Sequence, residues 1–233
     1  MAGWTERTIV VAGVELAVLE AGRGAPLLVL HDELGPGDWL DWHANLALER
    51  RLIMPVIPGF RSARVSWITG VRHIAALFGG LLRDLAPGGV DVIGLSFGGW
   101  VAAEMAVQNS AQFSRMILVA PFGLKAPEGA IADMFLMSSA EYIRAGFSKP
   151  DEVAEFARIY GNPGPDAIEA WEDARIECAQ LGWQPYMHEP AMEPLLPLAG
   201  RLPSLVIWGE DDAVVPRSVA QAYAGRFQAP NSW

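Results

Sequence analysis

One cysteine, Cys178, stands among 233 residues. A single thiol excludes an intrachain disulfide and any cysteine cluster able to hold zinc, and Cys178 reads as a buried structural thiol. No apolar run approaches the roughly 18 residues of a membrane span. The opening Met-Ala-Gly-Trp-Thr-Glu-Arg is too polar for a secretory leader, so a soluble cytoplasmic protein is the default expectation. Basic residues are few: 17 Lys and Arg against 27 Asp and Glu, a formal charge of −10. They are scattered, and an acidic surface repels phosphate, so nothing points to nucleic acid as a partner. Gly79-Gly80 and Gly88-Gly89 lack the Lys-Ser/Thr of a phosphate loop. No G-x-G-x-x-G follows a strand, and no His/Glu pair has the spacing of a zinc protease. Neither a cofactor nor a metal is expected. Histidine is also scarce, with only His31, His43, His73 and His188.

Hydrophobic residues, by contrast, make up 52% of the chain, nine of them tryptophan. Such a chain buries a full core. Two apolar runs around Ala12-Gly13 predict a β-hairpin over 8–19. A continuous apolar run at 27–30, typical of a strand buried on both faces of a parallel sheet, and largely apolar runs at 52–56, 90–93, 116–120 and 204–208 predict strands. Helical spacing predicts helices at 71–85, 100–108 and 217–226, and a further one capped by Asp38 and running through Trp39, Trp42 and Leu46. Between 125 and 201 no strand-like run occurs. Helical patterns at 130–137, 139–146, 150–160 and 165–181 alternate with Pro/Gly breaks there. Strands alternating with helices predict an α/β fold, a mostly parallel sheet with helices on both faces. Residues 1–124 and 202–233 form its core, and 125–201 a helical insertion.

One stretch carries chemistry. Gly94-Leu95-Ser96-Phe97-Gly98 is a G-x-S-x-G between a β-branched run and a run of helix formers. A strand, a one-residue corner and a helix put Ser96 on a sharp turn with its hydroxyl exposed, and glycine two residues to either side lets the backbone fold back on itself. That is the geometry of a nucleophile, which needs a base and a group to orient the base. Chemistry in such sheets gathers at the carboxyl ends of the strands. His31-Asp32-Glu33, Pro58-Gly59, Ser96 and Asp211-Asp212 all fall there.

With these residues the chain resembles the α/β-hydrolase superfamily in its form with a helical cap, over nearly its whole length. The carriers are the strand ending in His31, the Val-Ile-Pro-Gly-Phe60 turn, the Gly-Leu-Ser-Phe-Gly-Gly99 elbow, the strand end Val-Ala-Pro-Phe-Gly123, and Gly209, Asp212 and Pro216 in a G-x-x-D-x-x-x-P pattern. The resemblance implies acyl transfer on a small apolar carbonyl substrate: an ester, a lactone or a carbon–carbon bond beside a ketone. Ser96 would attack, a histidine would take its proton, and Asp212 would orient that histidine. The backbone N–H groups of Phe97 and Glu33 would hold the oxyanion.

Two departures follow. The family's usual His-Gly is His31-Asp32 here, which sets a carboxylate near a developing oxyanion, a cost in rate unless the side chain faces solvent. The family's histidine follows the acid, and none follows Asp212 in this sequence. The last strand of the family is also missing, and the tail Ala-Pro-Asn-Ser-Trp233 has no strand character, so a chain truncated at its C-terminus and impaired as a hydrolase is expected, with an exposed sheet edge. His31 reads as structural, and His43 and His73 as packed or exposed helix residues. His188, within the insertion, is the substitute base to examine. The alternative function is a non-catalytic small-molecule-binding protein on the hydrolase scaffold.

Overall fold

The computed structural model describes residues 3–227; the tail at 229–233 lies outside them. Strands β1 (Thr5–Val11) and β2 (Val14–Ala21) form the predicted hairpin, with Thr8 opposite Ala17. Ala12 and Gly13 both turn at positive φ, as a two-residue hairpin loop with the twist of its strands requires. Next come β3 (Ala25–Leu30), α1 (Asp41–Ala47), β4 (Arg50–Pro55), α2 (Val71–Leu85), β5 (Val90–Leu95), α3 (Phe97–Asn109) and β6 (Phe113–Val119). After the insertion the chain returns as β7 (Ser204–Ile207) and α8 (Arg217–Arg226).

The seven strands order as β1-β2-β4-β3-β5-β6-β7. The first two neighbour pairs are antiparallel and the rest parallel. Leu27, Leu28, Val29 and Leu30 are buried in succession, as are Leu52, Ile53 and Met54, so helices cover both faces of the central strands. Helix α2 turns Ile74, Leu77, Phe78, Leu81 and Leu82 inward. Its neighbour α3 is buried from Phe97 to Met105, and Gly98, Gly99, Ala102 and Ala103 let the surrounding backbone come close. Among the described residues no strand follows β7. It is an edge strand, and Leu205 and Ile207 are nearly half exposed on it.

The segment between β6 and β7 contains α4 (Ser139–Ala145), α5 (Ala154–Tyr160), α6 (Pro165–Gly182) and α7 (Met192–Leu195), with short 3-10 turns and no strand among the described residues. Ser138 caps α4 reciprocally with Glu141: the Glu141 amide donates to Ser138 Oγ (3.3 Å) and the Ser138 amide to Glu141 Oε2 (2.9 Å).

Three local expectations are corrected. The helix expected from Asp38 starts at Asp41. Gly35 and Gly37 hold positive φ, and the Leu40 amide is capped by His43 Nδ1 (3.1 Å), not by a carboxylate. The helix expected at 130–137 does not form. The Ala132 amide donates to Val214 O (2.9 Å), the Met134 amide to Tyr186 Oη (2.8 Å) and the Phe135 amide to its neighbour Asp133 Oδ1 (2.9 Å), so long-range and local side-chain partners displace the i−4 carbonyls. The helix expected at 150–160 is broken at Val153, which is extended (φ −98°, ψ 109°) between a 3-10 turn and α5.

Candidate active site

Ser96 is the single residue between β5 and α3, at φ 47° and ψ −107°. No L-residue adopts that conformation cheaply, so the surroundings must impose it. They do so through the backbone. The Ser96 amide donates to Val119 O (2.8 Å), and the Ser96 carbonyl accepts from Gly99 N (3.0 Å) and Phe122 N (3.1 Å). The glycines answer to close approach. A Cβ on Gly94 would lie 2.6 Å from Gly98 O, one on Gly99 would lie 2.8 Å from Pro121 Cβ, and one on Gly98 would strike the carbonyl oxygens of Leu30 and His31. The elbow is thus wedged between the ends of β3 and β6, with Ser96 only part-buried and its hydroxyl without a protein partner among the described residues. If this strain is stored for function, Ser96→Gly releases it. The expected result is a gain of about 1–2 kcal/mol in unfolding free energy, read from the urea midpoint. An unchanged or lower midpoint would mean that the turn is not strained.

Phe97 opens α3, and its amide, among the described residues, meets no protein acceptor. As the first residue of the helix it leaves that donor free at the positive end of the helix dipole, next in the chain to Ser96. The Glu33 amide is likewise unclaimed. The loop carrying it is built around His31, which is buried at the end of β3. Its Nδ1 lies 2.8 Å from Asp32 O, and its Nε2 accepts from the Ile57 amide (3.1 Å). Burial lowers its pKa to about 4, so the ring is a neutral strut between the ends of β3 and β4. Neither neighbouring carboxyl takes the solvent-facing course that would keep charge from an oxyanion. Glu33 is only 5% exposed, and its Oε1 accepts from Tyr142 Oη on α4 (2.6 Å), while Oε2 is buried without a partner. Asp32 accepts from the Leu34 amide (2.9 Å) through Oδ1. Burial, and then the charge of Glu33, push its pKa up to about 7.

Asp212 follows β7 in a loop tied to the insertion, where the Ala213 amide donates to Ala145 O (3.1 Å). Its Oδ1 accepts from the Val214 (2.8 Å) and Val215 (2.9 Å) amides. Burial raises its pKa, and these two bonds oppose the rise. Its neighbour Asp211 accepts from the Ser148 hydroxyl (2.6 Å) and so serves the loop. The sheet order puts β6 between β5 and β7, so the strand ends that lead to Ser96 and to the Asp212 loop lie on one rim with a single strand between them.

None of the four histidines is hydrogen-bonded to Ser96 or Asp212. His43 is buried and spent on capping α1, and burial lowers its pKa to about 4. His73 accepts from the Thr69 amide (3.2 Å) at the start of α2. His188 sets Nδ1 2.9 Å from Tyr186 O, and its backbone bridges to Gly123, next to the Phe122 that bonds Ser96 O.

A cavity of about 480 Å³ opens on the same rim. Its wall includes Leu95, the residue before Ser96, but not Ser96 itself. The loops after β3 and β4 form one side, and α5 and α6 of the insertion form the other. Tyr142, Tyr160 and Trp171 escaped the sequence reading. Tyr142 bonds Glu33, 109 residues away, while Tyr160 and Trp171 line the cavity with ring centroids 5.7 Å apart; no local spacing marks either placement.

A family model described as "Alpha/beta hydrolase family" matches residues 27–231. The chain is 32% identical over 130 residues to a 2-hydroxymuconate semialdehyde hydrolase of Pseudomonas sp. (strain CF600), a match covering 52% of this chain and 45% of the relative. The chain therefore spans less than half of that relative's length. It is 25% identical to a 2-hydroxy-6-oxo-2,4-heptadienoate hydrolase of Pseudomonas putida, over 90% of this chain and 80% of the relative. Among solved structures, a serine hydrolase involved in carbazole degradation superposes with a TM-score of 0.72 at 21% identity, covering 99% of this chain and 88% of that one. The 2-hydroxy-6-oxo-6-phenylhexa-2,4-dienoate hydrolase from Rhodococcus sp. strain RHA1 gives 0.72 at 18% identity, covering 97% and 88%. At these identities the structural matches show a shared fold.

Proposed function

We propose that this chain, which belongs to the alpha/beta hydrolase family, hydrolyses an ester, a lactone or a carbon–carbon bond beside a ketone through an acyl-enzyme on Ser96. The observation that carries the reading is the backbone of Ser96 at φ 47°, wedged between the ends of β3 and β6, beside the unclaimed N–H that opens α3. A serine held there at the cost of strain has a hydroxyl with no protein partner among the described residues and a donor next to it in the chain for the negative charge that its attack creates. Relatives named as hydrolases of 2-hydroxymuconate semialdehyde and of an oxo-heptadienoate support the reaction class.

In the mechanism Ser96 Oγ attacks the carbonyl carbon, and the oxyanion takes hydrogen bonds from the Phe97 and Glu33 amides. The elbow and the Asp212 loop follow strands separated only by β6, and an imidazole between them would receive the serine proton on one nitrogen and donate from the other to Asp212 Oδ2. Asp212 Oδ1 is held by two amides, which fixes the direction of Oδ2. His31 and His43 are ruled out as that base by their bonds. His188 reaches the neighbourhood through Gly123 and is the one histidine of the insertion. The helical segment 125–201 acts as the cap over the site.

A second reading has its own support. No histidine is bonded to Ser96 or Asp212 among the described residues, and a small-molecule binder on this scaffold needs none. A fluorophosphonate probe separates the two. The hydrolase reading expects a stoichiometric adduct on the Ser96 peptide, lost in Ser96→Ala. A folded protein that takes small carbonyl ligands but forms no adduct would establish the binding reading instead.

A further inference from the structure

The cavity beside Leu95 has an unusual wall for a site whose relatives are named for dienoate anions. Trp42, Phe60, Tyr160 and Trp171 contribute aromatic rings from four separate elements and loops. Asp32, Asp38 and Asp173 contribute carboxyl groups, with the first part-buried and the other two exposed at the mouth. Against these stands one cation, Arg61, which is 57% exposed and already shares its charge with Glu6 at 3.7 Å. His31 and His43 also line the cavity, and both are neutral above about pH 4. The Tyr160 hydroxyl is driven up first by burial and then by the charges of Asp32, Glu33 and Asp38. Those three carboxyl groups therefore bear on one ring of the cavity. Behind them Glu33 Oε2 is a buried carboxylate oxygen with no donor.

Aromatic rings and carboxylates around an open cavity are surroundings that an organic cation prefers: the ring quadrupoles attract it, and the carboxylates, here foremost the exposed Asp38 and Asp173, supply the counter-charge. A carboxylate ligand would meet the same groups as repulsion. We propose that this cavity selects a substrate bearing an alkylammonium group next to its reacting carbonyl, and that it discriminates against anionic substrates. The proposal rests on the hydrolase reading for the word substrate. The binding preference itself does not depend on turnover.

The test uses the Ser96→Ala protein, which cannot turn over, and three probes titrated by calorimetry. They are the butyrate ester of a trimethylammonio-propanol, its neutral isostere carrying a tert-butyl group in place of the trimethylammonium, and the butyrate ester whose chain ends in a carboxylate. The cationic ester is expected to bind at least tenfold more tightly than the neutral one, and the anionic ester more weakly than either. Asp38→Asn with Asp173→Asn, two exposed positions whose change should leave the fold intact, should bring the cation-to-neutral ratio toward one. Added salt should do the same in part, because those two carboxylates are exposed. Equal binding of cation and neutral ester, tightest binding of the anionic ester, or no binding of any probe would each overturn the proposal. Fluorophosphonate labelling of the unaltered protein reports separately on Ser96, so either claim can fail while the other stands.

Discussion

Gly98→Ala is expected to lower the unfolding free energy by about 3 kcal/mol or more, the upper range for forcing an atom into a packed interior. The added Cβ would strike the carbonyl oxygens of Leu30 and His31. Both are main-chain atoms, at the last residue of β3 and the one after it, so no side chain can rotate away. Relief requires the elbow helix to lift from the sheet, which pulls on the bonds from Val119 and Phe122 that hold Ser96. Gly225→Ala is the control, because among the described residues nothing lies within 4 Å of its new methyl and alanine favours the helix. Denaturant midpoints should fall for Gly98→Ala and hold or rise for Gly225→Ala. Equal midpoints would show that the elbow does not rest on β3.

Asp32→Asn should raise stability by about 2–3 kcal/mol at pH 8, with the gain largely gone near pH 4. The folded protein holds the Asp32 carboxyl up to about pH 7, because burial and the charge of Glu33 disfavour the ionised form. The unfolded chain ionises it near its ordinary value of 3.8. Between those two values the folded state binds the extra proton, so the native protein loses stability as pH rises from about 4 to 7 and carries the full cost above 7. Asparagine keeps the oxygen that accepts from the Leu34 amide and discards the charge. The charged and titratable groups around this carboxyl are Glu33 beside it in the chain and, lining the same cavity, Asp38, Arg61, Tyr160 and Asp173. All are common to both proteins, and so are His31 and His43, whose own acid titration cancels in the difference. Thermal unfolding across pH 4–8 gives the result, and a gain that does not change with pH would remove the charge argument.

Much of the core was legible because its signals are local. The run 27–30 had to be a doubly covered strand, since four consecutive apolar residues leave no face for water. Gly94 and Gly98 had to lie at a close approach, since Ser96 needed a turn that no side chain two residues away would permit. The 130–137 segment was misread for the opposite reason. Its helical spacing was real, but its amides found partners in Val214, Tyr186 and Asp133. Partners such as Val214 and Tyr186 exist only once the chain has returned. The Asp38 cap failed likewise, because a histidine three residues into the helix took the Leu40 amide first.

By itself the sequence determined the α/β architecture, the corner at Ser96 and the rim that Ser96 shares with Asp212. Each follows from hydrophobic periodicity or from a steric demand acting over a few residues. Tertiary structure alone decided that His31 is a strut, that Glu33 is buried against Tyr142, and that a cavity of aromatic rings and carboxyl groups stands between the core loops and α6. Those outcomes depend on which groups meet across a hundred residues, and burial then sets their charge, so no local pattern could have carried them.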